Sequence, residues 1–201
     1  MDKALIIFIK NAKAGKVKTR LAKDIGDKNA LTVYKHLLTH TRQISCLVKA
    51  NRFLFYADAV PLQDEWPETH FQKLEQQGND LGLRMLHAFQ TSFAEKNKRV
   101  IIIGSDCMEL SPDLIEKAFF ELKNHDFVIG PAKDGGYYLL GMKYPEEKIF
   151  QNKAWSTESV FNDTMADIED LSKSVFALPL LSDVDTLADL NQELKNLINI
   201  P

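Results

Sequence analysis

Four short runs of consecutive, mostly apolar residues, at 4–9, 53–57, 100–104 and 127–130, punctuate a chain whose other segments are mixed in polarity. Runs this short, rich in Ile, Val and Phe and lacking polar alternation, suit strands covered on both faces, as in a largely parallel sheet. Between them the spacing is helical. Tyr34, Leu37, Leu38, Thr41, Ile44 and Val48 form one stripe, and Met85, Leu86, Phe89 and Phe93 another. Strand and helix therefore alternate.

Ser111-Pro112 marks a helix start, with Ser as N-cap and Pro at the first helical position, ahead of a stripe from Leu114 to Leu122. Later strands are predicted at 137–142 and 174–178, with a helix over 157–171 between them. Thr186-Leu187-Ala188-Asp189 has the pattern of a capping box opening a last helix, which puts Asp183 and Asp185 in the loop before it. This order predicts an α/β three-layer αβα sandwich with a mixed, mostly parallel sheet, in one domain spanning 1–201. Open sheets of that kind bind ligands beyond the carboxyl ends of their strands, where Lys10, Asp106 and Asp134 are expected to share one cleft.

Composition narrows the function. The chain of 201 residues with 45% hydrophobic content is long enough for one full core. Its net charge of -3 argues against a broad nucleic-acid-binding face, so any basic cluster is local in purpose. Cys46 and Cys107 share no CxxC spacing, which disfavours a disulfide framework or zinc site and points to the cytoplasm. The apolar run at 4–9 is too short for a signal peptide, and no run approaches the roughly 20 residues of a membrane helix.

The stretch KNAKAGKVKTRLAK, residues 10–23, gathers Lys10, Lys13, Lys16, Lys18, Arg20 and Lys23 around Gly15. Following a buried strand, such a loop can wrap a di- or triphosphate with cationic side chains and main-chain N–H groups. It is not a Walker loop, and its plainer reading is a solvated charged loop. In GSDCMEL, Asp106 stands just past the most apolar run. A strand-end Asp there suits a hard cation such as Mg²⁺, with turn capping as the competing reading. GPAKDGGYYLLGM places Asp134 before Gly135 and Gly136, where backbone can approach a ligand closely, or where Asp-Gly simply turns a hairpin. Of Asp183 and Asp185, two apart in SDVDT, one is expected to face the cleft and the other to turn away. His36 and His40 lack the Glu of a zinc motif, Cys107 reads as a packed thiol, and Trp155 either stacks on a base or sugar or fills core space.

The segments KVKTRLA, DLGLRM, GSDCMELS, GPAKDGGYYLLGM, AWST and DVDTLADL, in that order along nearly the whole chain, resemble the DUF2064 family of the nucleotide-diphospho-sugar transferase superfamily. The resemblance implies a GT-A fold, and members are often labelled glycosyltransferases associated with radical SAM or arsenosugar genes. It further implies that Lys18 and Arg20 contact nucleotide phosphates, with Lys10 and Gly15 in the same loop, and that Asp106 and Asp185 bind metal. Asp80, Leu81, Gly82 and Arg84 match a segment near the nucleotide, and Asp134, Gly135 and Gly136 one on the acceptor or sugar side. The chain departs from the family in having Ala12, Ala14 and Met108 where prolines are usual. Each lost proline is worth about 0.4–1 kcal/mol through the unfolded state, so a more mobile loop is expected.

Together these readings lead to a metal-dependent (Mg²⁺ or Mn²⁺) glycosyltransferase that takes a nucleotide-sugar donor and a small-molecule acceptor, without nucleic acid or membrane as partner. Nucleotidyl transfer from an NTP, releasing pyrophosphate, is the alternative. A non-catalytic nucleotide-binding module is a third.

Overall fold

The computed structural model describes residues 2–200. Seven strands form one sheet: β1 (Lys3–Ile9), β2 (Asn51–Tyr56), β3 (Gln72–Glu75), β4 (Arg99–Ile103), β5 (Phe127–Pro131), β6 (Tyr137–Met142) and β7 (Val175–Ala177). Their spatial order is β3-β2-β1-β4-β6-β5-β7. β1 pairs in parallel with β2 and β4, β2 with β3, and β5 with β7, whereas β6 runs antiparallel to both β4 and β5. The sheet is mixed and mostly parallel, as the pattern of apolar runs required.

Each central strand is apolar throughout because both of its faces are covered. Leu5, Ile7, Leu54, Ile101 and Ile103 pack on one side with Ile115 and Phe119 of α3 (Pro112–Glu121) and Ile44 of α1 (Thr19–Leu47). Their alternates Ala4, Ile6, Phe53, Val100 and Ile102 pack on the other side with Met85 and Phe89 of α2 (Leu81–Ala94) and Ile168 of α4 (Val160–Asp170). These are the three layers. A third apolar cluster lies at one end, where Val17, Leu21, Tyr34 and Leu37 meet Val184, Leu190 and Leu194, the last in α5 (Gln192–Leu197).

Several boundaries differ from those expected. α1 begins at Thr19, so the cationic loop stops at Lys18 and Arg20 and Lys23 ride on the helix; Gly26, with φ 80 and ψ 156, kinks the helix where its interrupted stripe begins. The capping box at Thr186 and Asp189 opens only a 3-10 turn, Leu187–Asp189, and α5 starts at Gln192 under an Asn191 cap. α4 starts at Val160 rather than at 157. β3 has no apolar run to announce it, since it is a partly exposed edge strand of sequence QKLE. Among the described residues no helix is long and apolar enough to cross a membrane.

What positions a site is the reversal of strand order around β1: the chain passes to β2 and β3 on one side, then returns to place β4 on the other. Loops leaving β1 and β4 at their carboxyl ends therefore lie side by side at the switch point.

The short edge strand β7 is tied to β5 by Asp126, whose Oδ2 accepts from the Ser174 N–H at 3.0 Å and hydroxyl at 2.8 Å and whose Oδ1 accepts from the Tyr144 hydroxyl at 3.0 Å. The Ser174 backbone bond, then its hydroxyl, Tyr144 and Lys143, outweigh burial and hold this carboxyl well below the usual carboxylate range. A depressed folded-state value means stability that is present above the unfolded pKa of about 4 and lost as pH falls below it. Asp126→Asn should lower unfolding free energy by about 1–3 kcal/mol at pH 7, with the gap to wild type narrowing below about pH 4 in urea titrations.

Candidate active site

The loop after β1 starts from a fixed point. The Tyr34 hydroxyl accepts from the Lys10 N–H at 2.8 Å and donates to the Lys10 carbonyl at 3.0 Å, clamping the strand end to α1. Nearby, the Gln76 side-chain amide donates to the carbonyls of Ile9 and Phe55 at 3.3 and 3.2 Å, locking the ends of β1 and β2 together. Gly15, at φ 72, turns the loop but does not line the cleft that the loop borders. Val17 is buried in the end cluster, which leaves Lys16 and Lys18 on the cleft side of the loop, Lys16 exposed and Lys18 directed inward.

Lys18 is the pivot. Its backbone sits at φ 46, ψ 46, left-handed for a residue with a side chain, at the start of α1, where it gives no side-chain cap. Such a conformation costs on the order of 1–3 kcal/mol and persists only where its surroundings enforce it. Here the side chain reaches away from the helix, and Nζ donates to Asp106 Oδ2 and Asp185 Oδ1, each at 2.9 Å. Burial works against the charge, but Asp106 and Asp185 outweigh it and raise the ammonium's pKa. Burial likewise works against the Asp106 carboxylate, and Lys18 outweighs it to keep that pKa low. Arg20 approaches the other oxygen of Asp185 at 3.7 Å.

Three segments far apart in sequence are held together from below. Val17, Met108 and Val184, each one or two residues from a charged member of the site, all pack in the end cluster. The Val184 N–H also donates to the Asp106 carbonyl at 2.9 Å, stitching the final loop to the one after β4. Met108 thus has a packing role here.

The expectation that Asp183 and Asp185 turn to opposite faces is corrected: both line the cleft. In an extended segment positions i and i+2 share a face, and it is the intervening Val184 that turns inward. Asp183 Oδ1 is buried without a hydrogen-bond partner. Burial first, then the charges of Asp106 and Asp134, push its pKa up to about 8. The shift is toward the protonated form, which lessens the negative charge around Lys18.

The resulting cleft of about 580 Å³ falls within the range of small-ligand sites. Lys10, Lys16, Lys18 and Arg20 line it, together with Asp106, Asp134 and Gly136. The first turns of α1, α2 and α4 also open onto it through Thr19, Leu81 and Val160, and three helix N-termini add partial positive charge. The helix N-termini favour an anionic ligand. Asp134 is exposed at the rim in the β5–β6 turn, its Oδ1 accepting from the Gly136 N–H at 2.9 Å, so the hairpin reading of this motif also holds.

Other expected residues act at one remove. Asp80 does not line the cleft; it caps α2 by accepting from the Leu83 N–H at 2.8 Å. Arg84 lines the cleft while its Nε donates to the Gly78 carbonyl at 3.0 Å. Gly82 and Gly135 make room for neighbouring chain rather than for a ligand, since a Cβ would come within 2.5 Å of Trp155 and 2.2 Å of the Glu158 carbonyl oxygen respectively. Cys107 is a packed thiol, its pKa pushed up to about 12 by burial and by Asp183. His36 contacts Glu193 and His40 the Leu110 carbonyl. Tyr34 and Gln76 were not anticipated: Tyr34 read as part of a helical stripe, and no motif in the sequence marks Gln76.

A family model described as "Uncharacterized protein conserved in bacteria (DUF2064)" matches residues 41–157. Among solved structures, a protein from Desulfovibrio desulfuricans G20, assigned provisionally as a nucleotide-diphospho-sugar transferase, is 29% identical over 98% of this chain and 97% of its own, with a TM-score of 0.87. The inositol-1-phosphate CTP transferase from T. maritima shares the fold at 13% identity, covering 99% of this chain and 95% of its own, with a TM-score of 0.54. So does CMP:2-keto-3-deoxy-manno-octonic acid synthetase complexed with CTP, at 10% identity, 99% coverage of each chain and a TM-score of 0.59. A search of curated protein sequences found no match.

Removing the shared ammonium leaves two carboxylates facing each other. Lys18→Met is expected to destabilise the fold by about 1–3 kcal/mol at pH 7, below the usual cost of breaking a buried pair because both carboxylates still reach water. Adding Asp185→Asn should restore part of that loss. Urea unfolding of the single and double variants checks both; a single variant as stable as wild type would show that water screens the pair unaided.

Proposed function

Because the chain belongs to the DUF2064 family and has the nucleotide-diphospho-sugar transferase fold, we propose that it transfers a sugar from a nucleotide-diphospho-sugar donor to a small-molecule acceptor. The observation that carries this reading is the convergence of Asp106 and Asp185 on Lys18, at 2.9 Å each, in a cleft onto which three helix N-termini open. The 29% identity to the Desulfovibrio protein over nearly the full length of both chains supports the choice of a sugar as the transferred group.

The donor set suits a hard divalent cation. Among the described residues no three His, Cys, Asp or Glu side chains are gathered so as to hold an ion by themselves. Two carboxylates, with phosphate oxygens and water completing the shell, are nevertheless the usual provision for Mg²⁺. Asp106 and Asp185 would hold Mg²⁺ or Mn²⁺ with the donor. When bound, the ion would supply charge neutralisation at the diphosphate.

The remaining work falls to the chain. Lys10, Lys16, Lys18 and Arg20, with the first turn of α1, bind the diphosphate and stabilise the charge that grows on it as its bond to the anomeric carbon breaks. The acceptor hydroxyl oxygen forms the new bond to that carbon. Asp134, exposed at the rim within reach of an incoming acceptor, orients the hydroxyl and takes its proton. The nucleoside diphosphate leaves.

A second reading uses the same wall for nucleotidyl transfer, with attack at the α-phosphorus of an NTP and loss of pyrophosphate. Four cationic side chains along one cleft are enough for a triphosphate, and two enzymes that share the fold are named for CTP or CMP chemistry.

Incubation with each NTP and with UDP- and GDP-sugars separates the readings: a nucleoside diphosphate product supports glycosyl transfer, and pyrophosphate supports the second. Asp106→Ala is expected to lower turnover by at least about 100-fold, the scale seen when one charge-stabilising group is removed, and to lower the unfolding midpoint as well, because buried Lys18 keeps only Asp185. Turnover is therefore compared at a temperature where both proteins are folded. Unchanged kinetics in that variant would remove Asp106 from the mechanism.

A further inference from the structure

Trp155 lies in the irregular stretch between a 3-10 turn, Lys148–Phe150, and α4. The stretch contains two side-chain-bearing residues in left-handed conformation, Asn152 at φ 54 and Ser156 at φ 67. It is pinned on both sides. The Trp155 ring lies against the first turn of α2, where a Cβ on Gly82 would be 2.5 Å from its Cζ2, and the Glu158 backbone lies as closely on Gly135. Strain and tight packing together fix where the indole stands.

That position is at the margin of the core, against the cluster that holds Met85 and Phe89. Trp155 is half-buried and lines the cleft, near Leu81, Met85, Tyr137 and Val160. Leu81 is 40% exposed, and among the described residues the Tyr137 hydroxyl has only the Met85 sulfur as partner, at 3.8 Å. The cleft therefore has two chemically distinct parts: one with Lys16, Lys18 and Arg20, the other apolar and aromatic. A phosphate alone leaves the second part uncovered. A ring attached to a phosphate covers both, since the flat face of a base or the C–H face of a sugar stacks on an aromatic side chain while the anion is held by the cations.

We propose that Trp155 is a stacking platform for a ring carried by a phosphorylated ligand, either a nucleobase or a sugar ring; the proposal rests on the reading of this cleft as a nucleotide-sugar site. Tyr137, Met85 and Leu81 complete the apolar wall. Trp155 is a binding residue for the ring, distinct from the groups that hold the phosphates.

The test is calorimetric titration of full-length wild type, Trp155→Ala and Trp155→Phe with four probes: pyrophosphate, which has no ring; UDP and GDP, which carry a base; and glucose 1-phosphate, which carries a sugar ring without a base. Trp155→Ala should weaken at least one ring-bearing probe by about tenfold while pyrophosphate stays within about twofold of wild type, and Trp155→Phe should keep most of the affinity. The other tryptophan, Trp66, is buried at 4% exposure on the opposite face of the sheet, so emission quenched by the ring-bearing probe in wild type should be absent from Trp155→Phe. A loss confined to UDP and GDP assigns the nucleobase; a loss confined to glucose 1-phosphate assigns the sugar. Ring-bearing probes that bind Trp155→Ala as tightly as wild type overturn the stacking and leave the anion site standing. Equal weakening of pyrophosphate also overturns it, making Trp155 a prop for α2. Failure of every probe to bind wild type removes the anion site, and the platform with it.

Discussion

One ammonium held between two carboxylates organises the functional end of this molecule. Lys18, Asp106 and Asp185 come from the loops after β1 and β4 and from the segment before α5, and no local rule brings them together. Bare charges would drift apart into water, where a surface ion pair is worth little. The apolar cluster beneath prevents this: Val17, Met108 and Val184 anchor the three segments by burial, and their charged neighbours are then committed to one point. Burial supplies the free energy and the ion pairs supply the geometry.

The same arrangement explains why strain collects here. Lys18 occupies left-handed backbone at a helix start where a small polar cap would be easier. Its side chain is used on the carboxylates instead, and the helix N-terminus is left open to the cleft. A capped, relaxed α1 would satisfy itself and offer less to an anion.

Across the cleft the chemistry changes character. Trp155 and Tyr137 belong to the side of the sheet covered by α2 and α4, whereas the charged cluster grows from the other side and its end. The open carboxyl edge of the sheet lies between, so one ligand can touch both. This division follows from strand order, because β1 and β4 flank the switch point and α1 and α2 approach it from opposite faces.

The sequence by itself determined the strands buried on both faces, the alternation with helices and the mixed α/β sandwich, because periodicity and apolar runs report directly which surfaces are covered. It was silent on β3, whose polar edge position leaves no apolar signature, and misleading at Thr186, where a capping box closes a single turn. It placed the start of α1 too late, since Gly26 interrupts the stripe and lysines look alike in loop and helix. Only the tertiary structure decided that Asp183 and Asp185 share a face, that Tyr34 and Gln76 lock the strand ends, that Gly82 and Gly135 receive neighbouring chain, and that Trp155 stands at the cleft. Each of these depends on contacts between residues distant along the chain, and local pattern carries no record of which distant surfaces meet.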